Sequence, residues 1–446
     1  MLADQVFFLS LTWAALQVGT PAQVGLVLAA GSVPRLLILL IGGAFADQAS
    51  PKRIIVGTDS GRAVVMALAA VVLMVGAMNT GGLIMVALLI GALDGLFLPA
   101  VGALPARIAP PHLMGRVAAL RTVTQRVAML VGGPLAGWLI FLYGASAAFW
   151  ASAALFTVSV VALALVSTIG SAAPTSVTSS GPYPAEDPPA PTGSGPSAAS
   201  VNQGEPMQAS LEPGVLTRIS QGLGTVRQDP VLPWLLLLIA GMNFGFAGPV
   251  TAGLPLLAAS EGWGAKGAGL LLGGFGLGAT VTGLGLVFVR WIPRAGRVAL
   301  VSVTVMGLAL ACAGLAQSLV GAVVATVVLG LASGVLGTVV HAMVLTTTPQ
   351  AELGRVMALV SLSIEGVVPL SFAAAGVLAG LAGPESTLFA GGGIILLTTV
   401  AAFLRPRLRS FELSRPDDPA VSAPVAPSDL AGRERAVEPV AQAKAG

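Results

Sequence analysis

The chain alternates long apolar runs with short breaks that are polar or rich in glycine and proline. A bilayer core about 30 Å thick needs about 20 apolar residues in a helix that rises about 1.5 Å per residue. Roughly twelve runs have this length, and each predicts a transmembrane helix. The predicted spans are Leu2–Val18, Ala22–Ala46, Ile54–Met78, Gly82–Ala106, Val117–Tyr143, Ala145–Ile169, Leu232–Ser260, Ala265–Val289, Val298–Ala316, Val320–Thr346, Val356–Leu381 and Ser386–Leu404.

Basic residues predict the orientation of these spans, because loops rich in lysine and arginine stay in the cytoplasm. Lys266 falls in a loop on one side of the predicted membrane. The opposite side receives Lys52, Arg53, Arg107, Arg116, Arg218, Arg227, Arg290, Arg294, Arg297, Arg355, Arg405, Arg407 and Arg409. Both termini are therefore expected in the cytoplasm. The first span has Asp4 close to its start and no basic residue before it, so we expect this helix to be truncated.

A polar segment rich in proline, serine and glycine separates the sixth span from the seventh. Such a composition predicts a disordered cytoplasmic linker. We expect a six-helix bundle over 1–169, the linker over 170–213, an interfacial helix with a second six-helix bundle over 214–404, and a disordered cytoplasmic tail over 405–446. A short repeat supports duplication of the halves. Pro110, Gly115, Arg116, Val117, Ala119 and Leu120 recur 239 positions later as Pro349, Gly354, Arg355, Val356, Ala358 and Leu359.

Composition agrees with a membrane protein and excludes several functional classes. Of the 446 residues 55% are hydrophobic and 9% are charged, whereas a soluble domain has about 25% charged residues. The single cysteine, Cys312, excludes a disulfide framework, a cysteine-ligated zinc site and an iron–sulfur cluster within one chain. A net charge of +3 with scattered basic residues gives no support for nucleic-acid binding. We expect no metal, no cofactor and no enzymatic activity.

Charged residues deep inside predicted spans are the main candidates for function, because an isolated charge at mid-bilayer is costly. Their distance from the ends of the spans places Asp4, Arg35, Asp94, Arg126 and Glu365 in this group. Asp4 with Arg35, and Asp94 with Arg126, are expected to form ion pairs between neighbouring helices. The first pair is expected to be structural, and the second is either a structural contact or part of a cavity wall.

Glu365 corresponds to Arg126 under the 239-residue shift, so the duplication places opposite charges at equivalent depths in the two halves. Three interpretations stay open: a proton carrier, a static contact between helices, and a site for a substrate cation. Glu365, Asp94 and Asp4 are the candidates for proton coupling, with Arg35 and Arg126 as their partners. The amides of Gln125 and Asn243 are candidates for the substrate cavity or simply bridge neighbouring helices.

The sequence resembles the major facilitator superfamily. Gly43 to Asp47 followed by Lys52 and Arg53 is similar to the superfamily signature between its second and third helices, and the resemblance implies a gating role for this loop and for the related Arg116 and Arg355. The run Gly133-Pro134-Leu135-Ala136-Gly137 looks like the core of a signature found in proton-coupled exporters. It also has the residue types that let a helix bend and a neighbour approach.

Residues 2–47 and 99–116 are similar to the bacterial branch that contains the enterobactin exporter and related drug exporters. Many exporters carry an arginine in helix 4, where this sequence has Gly91. The resemblance implies an all-α membrane protein with twelve helices in two pseudo-symmetric bundles. It further implies a monomeric secondary transporter in the bacterial inner membrane that exports a drug, siderophore or other small amphipathic compound against proton entry. The alternatives are a proton-coupled uptake symporter and a membrane anchor that binds protein partners.

Overall fold

A computed structural model describes residues 1–41, 50–108, 110–165, 232–286, 294–347 and 353–404, and these residues form a helical membrane bundle. Eleven of the described helices are long and apolar enough to cross a bilayer, and one shorter apolar helix precedes them. The uninterrupted helices are α1 (Leu2–Val18), α2 (Pro21–Ile41), α3 (Pro51–Met74), α4 (Thr80–Ile108), α5 (Met114–Tyr143), α6 (Ala145–Leu165), α8 (Gly264–Gly285), α9 (Ala295–Leu315), α10 (Leu319–Thr347) and α12 (Pro384–Phe403).

Two further helices, α7 and α11, are interrupted. Helix α7 consists of Leu232–Gly248, a wider π-helical turn at Pro249–Gly253, and Leu254–Ser260. Helix α11 consists of Leu353–Glu365 and Val368–Ala382. Proline has no amide hydrogen, so it leaves a carbonyl of its own helix without the usual partner. Just before the wider turn, the Ser371 hydroxyl of α11 bonds to the α7 backbone: it donates to the Phe244 carbonyl and accepts a hydrogen bond from the Gly248 amide.

The helices pack as two bundles that share one pattern. In the first bundle α2 packs against α4, α3 against α4 and α6, and α1 against α5 and α6. Adding six to each number gives the contacts of the second bundle: α8 with α10, α9 with α10 and α12, and α7 with α11 and α12. The predicted fold class, twelve helices in two pseudo-symmetric bundles, is therefore confirmed. The predicted linker, interfacial helix and tail lie outside the described residues, so their boundaries stay predictions.

Two helix pairs, α2 with α11 and α5 with α8, join the bundles, and glycines let their backbones touch. A Cβ added at Gly25 of α2 would lie 2.5 Å from the Phe372 carbonyl oxygen and 2.6 Å from Cα of Gly376. A Cβ at Gly137 of α5 would lie 2.9 Å from Cα of Gly269 in α8. Small residues at such contacts are typical of membrane helices, where close backbone packing replaces the hydrophobic effect as the main source of association.

The two ends of the bundle differ in charge. We call the end at which α3, α5 and α9 begin the basic end, because Arg53, Arg116 and Arg294 lie there. Toward the opposite end the bundles share buried apolar side chains, with Leu11 of α1, Leu256 of α7 and Ala375 of α11 in one cluster. The bundles are thus packed together at the end away from the basic residues.

Candidate functional site

A cavity of about 290 Å³ lies between the bundles, and both contribute to its wall. It is bounded by α1, α2, α4 and α5 on one side and by α7, α8 and α11 on the other. Its apolar wall consists mainly of Phe7, Phe8, Leu9, Leu11, Leu28, Ile90, Met129, Phe246, Val250, Leu272, Phe275, Val368 and Phe372. Its polar wall consists of Gln5, Ser32, Arg35, Asp94, Asn243, Thr251 and Glu365. An apolar cavity with a few convergent polar groups is the usual form of a small-molecule site.

Asp94 of α4 is the carboxylate that the first bundle contributes to this cavity. Its Oδ1 lies 2.5 Å from Nη2 of Arg62, and its side chain is 14% exposed. The predicted ion pair of Asp94 with Arg126 is wrong, because the cation that pairs with Asp94 is Arg62 of α3. Depth along the helix predicts that Asp94 needs a cationic partner, but it does not show which neighbouring helix supplies it.

Arg62 is the most buried charged residue of the site, with 1% of its side chain exposed. Its Nη1 lies 3.2 Å from Oδ1 of Asp59, one turn earlier in α3. The Phe97 ring centroid is 4.1 Å from the guanidinium carbon and the Phe156 centroid is 5.5 Å away, within the range of cation–π attraction. The hydroxyl of Ser159 donates to the other oxygen of Asp59 at 2.7 Å.

Asp59 and Arg62 are absent from the residues predicted to form the site. The signal was present, because opposite charges three positions apart on an apolar helix lie on one face and can pair. The pair begins eight residues after Pro51, so it lies about 12 Å along α3 at 1.5 Å per residue. Two charges at that depth meet the criterion by which the other intramembrane residues were selected.

Asp4 of α1 extends the same polar cluster. Its Oδ1 lies 3.8 Å from Nη1 of Arg62, and its Oδ2 lies 2.7 Å from the α-amino group of Met1. The predicted pair of Asp4 with Arg35 is wrong, because Asp4 faces Arg62 and Arg35 reaches the other bundle. The first bundle therefore gathers the carboxylates of Asp4, Asp59 and Asp94 around a single guanidinium group.

Arg35 and Glu365 connect the bundles across the cavity wall. Nη2 of Arg35 in α2 donates to Oε1 of Glu365 in α11 at 2.9 Å. About a quarter of each side chain is exposed, so the pair borders the cavity rather than lying in packed protein. Glu365 is the last residue of the first segment of α11, and Val368 begins the next. The ion pair therefore lies at a break in the helix.

Arg126 does not meet Glu365 in this conformation, although the duplication relates them. Arg126 lies where α5 packs on α8, and its carbonyl accepts a hydrogen bond from the Thr280 hydroxyl at 3.1 Å. Its Nε would lie 3.3 Å from a Cβ added at Gly283. Among the residues that the structure describes, no carboxylate lies within ion-pair distance of Arg126.

The two predicted amides differ in position. Asn243 of α7 lines the central cavity and also a smaller cavity of about 190 Å³ between α7, α10 and α11. Its Nδ2 donates to the Ile239 carbonyl at 2.9 Å, which leaves its oxygen as an acceptor. Gln125 of α5 is exposed and does not belong to the wall of the central cavity.

The gating-loop residues are only partly described. Gly43 and Asp47 lie outside the described residues. Arg53 and Arg116 are exposed at the basic end, Lys52 is half-buried, and Arg355 lies in the first segment of α11.

The exporter-like signature in α5 forms the contact with α8. A Cβ at Gly133 would lie 2.8 Å from Cβ of Leu272, and a Cβ at Gly273 would lie 2.5 Å from Cγ of Pro134. Gly269 and Gly273 of α8 therefore lie in close contact with this part of α5. Gly133 also lines the cavity, so the same helix contact borders the candidate site.

Gly91 of α4, which stands where many exporters are expected to carry an arginine, has no room for a side chain. A Cβ at this position would overlap the carbonyl oxygen of Gly31 in α2. The guanidinium group beside Asp94 comes from α3 instead. The local charge arrangement thus differs from the one that the resemblance implies.

Comparison with known proteins agrees with the fold. The family model described as Major Facilitator Superfamily matches residues 1–321 and 294–439. The multidrug efflux pump Tap of Mycolicibacterium fortuitum is 23% identical over 418 residues, which cover 89% of this chain and 90% of the pump.

Among solved structures, a mutant of the nucleoside transporter NupG superposes with a TM-score of 0.63 at 14% identity. The superposition covers 91% of this chain and 100% of that transporter. Similarity at this identity concerns the fold, which is the twelve-helix arrangement found here. The chain belongs to the major facilitator superfamily and is a multi-pass membrane transporter.

Proposed function

We propose that this transporter exports a small amphipathic organic compound from a bacterial cytoplasm in exchange for protons. The observation that carries the proposal is a largely apolar cavity between two bundles whose charged wall residues include an ion pair made across the bundles. Alternating access in such folds comes from rocking of one bundle against the other around a fixed site. An ion pair across the bundles is a contact that this motion can make and break.

The wall of the cavity favours a compound with an apolar body. Phe7, Phe8, Phe246, Phe275 and Phe372 supply aromatic surface on several sides. Aromatic rings attract cations over their faces as well as apolar groups. A drug, siderophore or secondary metabolite with a large apolar portion meets these requirements better than a sugar does.

The charge balance of the site favours protons or a cationic group as the exchanged species. The carboxylates of Asp4, Asp59, Asp94 and Glu365 meet the two guanidinium groups of Arg35 and Arg62. A buried carboxylate without a cationic partner is costly, and binding a proton removes this cost. Glu365, Asp94 and Asp4 are our candidates for proton coupling, with Arg35 as the partner of Glu365.

The contact between α2 and α11 provides the geometry for coupling. Gly25 and Gly376 touch through their backbones, ten residues along α2 from Arg35, which is about 15 Å at 1.5 Å per residue. Rocking about this glycine contact changes the separation of Arg35 and Glu365. Glu365 then binds a proton when Arg35 moves away and releases it when the pair forms again.

We propose that the basic end faces the cytoplasm and that the protein lies in the inner membrane. Loops rich in arginine are retained on the cytoplasmic side. In this orientation the bundles are packed together at the outer end. The basic gating residues Arg53, Arg116 and Arg355 then lie at the inner end, where the superfamily signature is expected to act.

Export is preferred over uptake because the similar multidrug efflux pump covers most of the chain, although at low identity. The nucleoside transporter shares the fold at 14% identity, which carries no inference about direction. Uptake of a polar solute fits a cavity with more polar groups than this wall has. A membrane anchor needs no cavity between its bundles, so the cavity favours a transporter over an anchor.

The test is export of a lipophilic cationic dye from cells that express the protein, with and without an uncoupler. Export should require the proton gradient, since each proton that enters supplies about 2.3 kcal/mol per 100 mV of proton-motive force, equivalent to a concentration ratio of about 50 for an uncharged compound. Glu365→Gln should abolish dye export against a concentration gradient of the dye. Glu261→Gln, which changes an exposed glutamate in the turn between α7 and α8, should not. Equal dye content in cells with and without the protein, tested across several amphipathic compounds, would refute export.

A further inference from the structure

Arg62 makes its two shortest ion pairs with carboxylates that differ in their surroundings. Asp59 is buried, belongs to the same helix and accepts a hydrogen bond from Ser159 of α6 at 2.7 Å. Asp94 belongs to α4 and lines the central cavity. The guanidinium group therefore has one partner inside the first bundle and one partner that a solute or proton in the cavity can reach.

We propose that Arg62 is the resident counter-ion of Asp94, which a proton or the positive group of a substrate replaces during transport, while Asp59 retains the guanidinium group. This inference rests on the proposed function and adds a residue from α3 to its site. Arg62 acts as a positioning residue, because it belongs to the protein interior and works through Asp94.

The surroundings of Arg62 keep its charge in place when Asp94 is neutralised. Phe97 and Phe156 cover the guanidinium group, and its side chain is almost completely buried. Its Nε is buried and has no hydrogen-bond partner among the residues that the structure describes. Asp59 at 3.2 Å is then the partner that keeps the charge compensated.

Asp94 is the member of the cluster suited to exchange. Its Oδ1 makes the shortest contact with Arg62, yet its side chain has more exposure than that of Asp59. The charged groups that act on it come from several helices: Arg62 from α3, Asp4 from α1 and Arg35 from α2. Asp59 and Glu365 are the further partners of the two arginines. Of the two arginines, Arg35 is paired with Glu365, so a proton at Asp94 competes mainly with Arg62.

Neutralising Arg62 and neutralising Asp59 should shift the pH at which Asp94 loses its proton in opposite directions. Removing Arg62 takes away a cation that favours the carboxylate, so Asp94 should keep its proton to higher pH. Removing the charge of Asp59 takes away a repelling anion, and Arg62 then no longer divides its attraction between two carboxylates. Asp94 should therefore lose its proton at lower pH. A residue that only supports the fold has no reason to shift the protonation midpoint in opposite directions in these two variants.

The experiment is an infrared pH titration of the purified full-length protein in detergent. The absorption of the protonated Asp94 carboxyl is identified as the band that Asp94→Asn removes. Arg62→Gln should raise the midpoint of this band by about one pH unit, and Asp59→Asn should lower it by a similar amount. Arg62→Lys, which keeps the positive charge, should restore a midpoint close to that of the unchanged protein.

Asp59→Asn keeps the Arg62–Asp94 pair and tests the inference if Arg62→Gln does not yield folded protein. An unchanged midpoint in Arg62→Gln or Asp59→Asn, or shifts of the same sign, would overturn the role of Arg62. This titration does not require a substrate, so its outcome is separate from that of the dye export. Export by the unchanged protein together with unshifted midpoints would reject this inference and leave the proposed function standing.

Discussion

Arg35 and Glu365 are 330 positions apart in the chain, and their side chains form an ion pair of 2.9 Å between the two bundles. Each comes from a helix that touches the other through glycines nearer the opposite end. The pair is therefore held by the same helix contact whose angle must change when the bundles rock. In the proposed rocking motion, the separation of the two side chains therefore changes with the angle between α2 and α11.

Exchanging the two charges should test the pair. Arg35→Glu alone and Glu365→Arg alone each place like charges together and should reduce gradient-driven export at least tenfold, since about 1.4 kcal/mol is enough for that factor. The double variant Arg35→Glu with Glu365→Arg restores opposite charges and should recover a measurable part of the export. Recovery is expected to be partial because Asp94 lies in the same cavity wall.

The measurement is initial export rate in cells with equal amounts of membrane-inserted protein. A matched control is Glu261→Arg, a charge reversal of an exposed residue in the turn between α7 and α8. If the double variant were no better than the worse single variant, the pair would not couple the bundles in transport.

Gly25 should be intolerant of any side chain. A Cβ there lies 2.5 Å from the Phe372 carbonyl oxygen, so Gly25→Ala should force α2 away from α11 and destabilise the protein by about 1–3 kcal/mol. A Cβ at Gly57 of α3 meets nothing within 4 Å, so Gly57→Ala should be neutral or stabilise by up to about 1 kcal/mol. Thermal unfolding of the two variants in the same detergent compares them, and equal stability would contradict the backbone contact.

Gly91 should resist the introduction of an arginine. Gly91→Arg drives a side chain into the Gly31 carbonyl, so α2 and α4 must separate. We expect little folded protein from this variant in size-exclusion chromatography after membrane extraction. Gly102→Ala, also in α4, has open space at its Cβ and should behave as the unchanged protein. Normal yield and export by Gly91→Arg would show that the guanidinium group near Asp94 can come from α4 after all.

Much of the fold is predictable from the sequence because a bilayer imposes length and polarity on each span. The predicted ends of the first span, Leu2 and Val18, agree with α1, and the predicted duplication agrees with the repeated packing pattern. The interruption of α11 after Glu365 was not predicted. An apolar run does not show whether its helix is continuous, and the only local sign was Pro369 shortly after Gly366.

Part of the composition of the site was predictable, but its pairing was not. Depth along a span identifies Asp4, Arg35, Asp94 and Glu365 as intramembrane charges. Which of them meet depends on the order of helices around the cavity, and hydropathy contains no information about that order. Arg35 was assigned to a neighbour in its own bundle, whereas α2 in fact faces α11 of the other bundle.

The orientation of the bundle is open to a labelling test. In a Cys312→Ala background, a cysteine at Lys266 should react with a membrane-impermeant maleimide added to intact cells, because Lys266 lies at the end opposite the basic residues. A cysteine at Arg53, which is exposed at the basic end, should react only after the cells are made permeable. The physical reason is that arginine-rich loops are retained in the cytoplasm. Labelling of Arg53→Cys in intact cells, with Lys266→Cys protected, would reverse the orientation and turn the proposed exporter's closed end toward the cytoplasm.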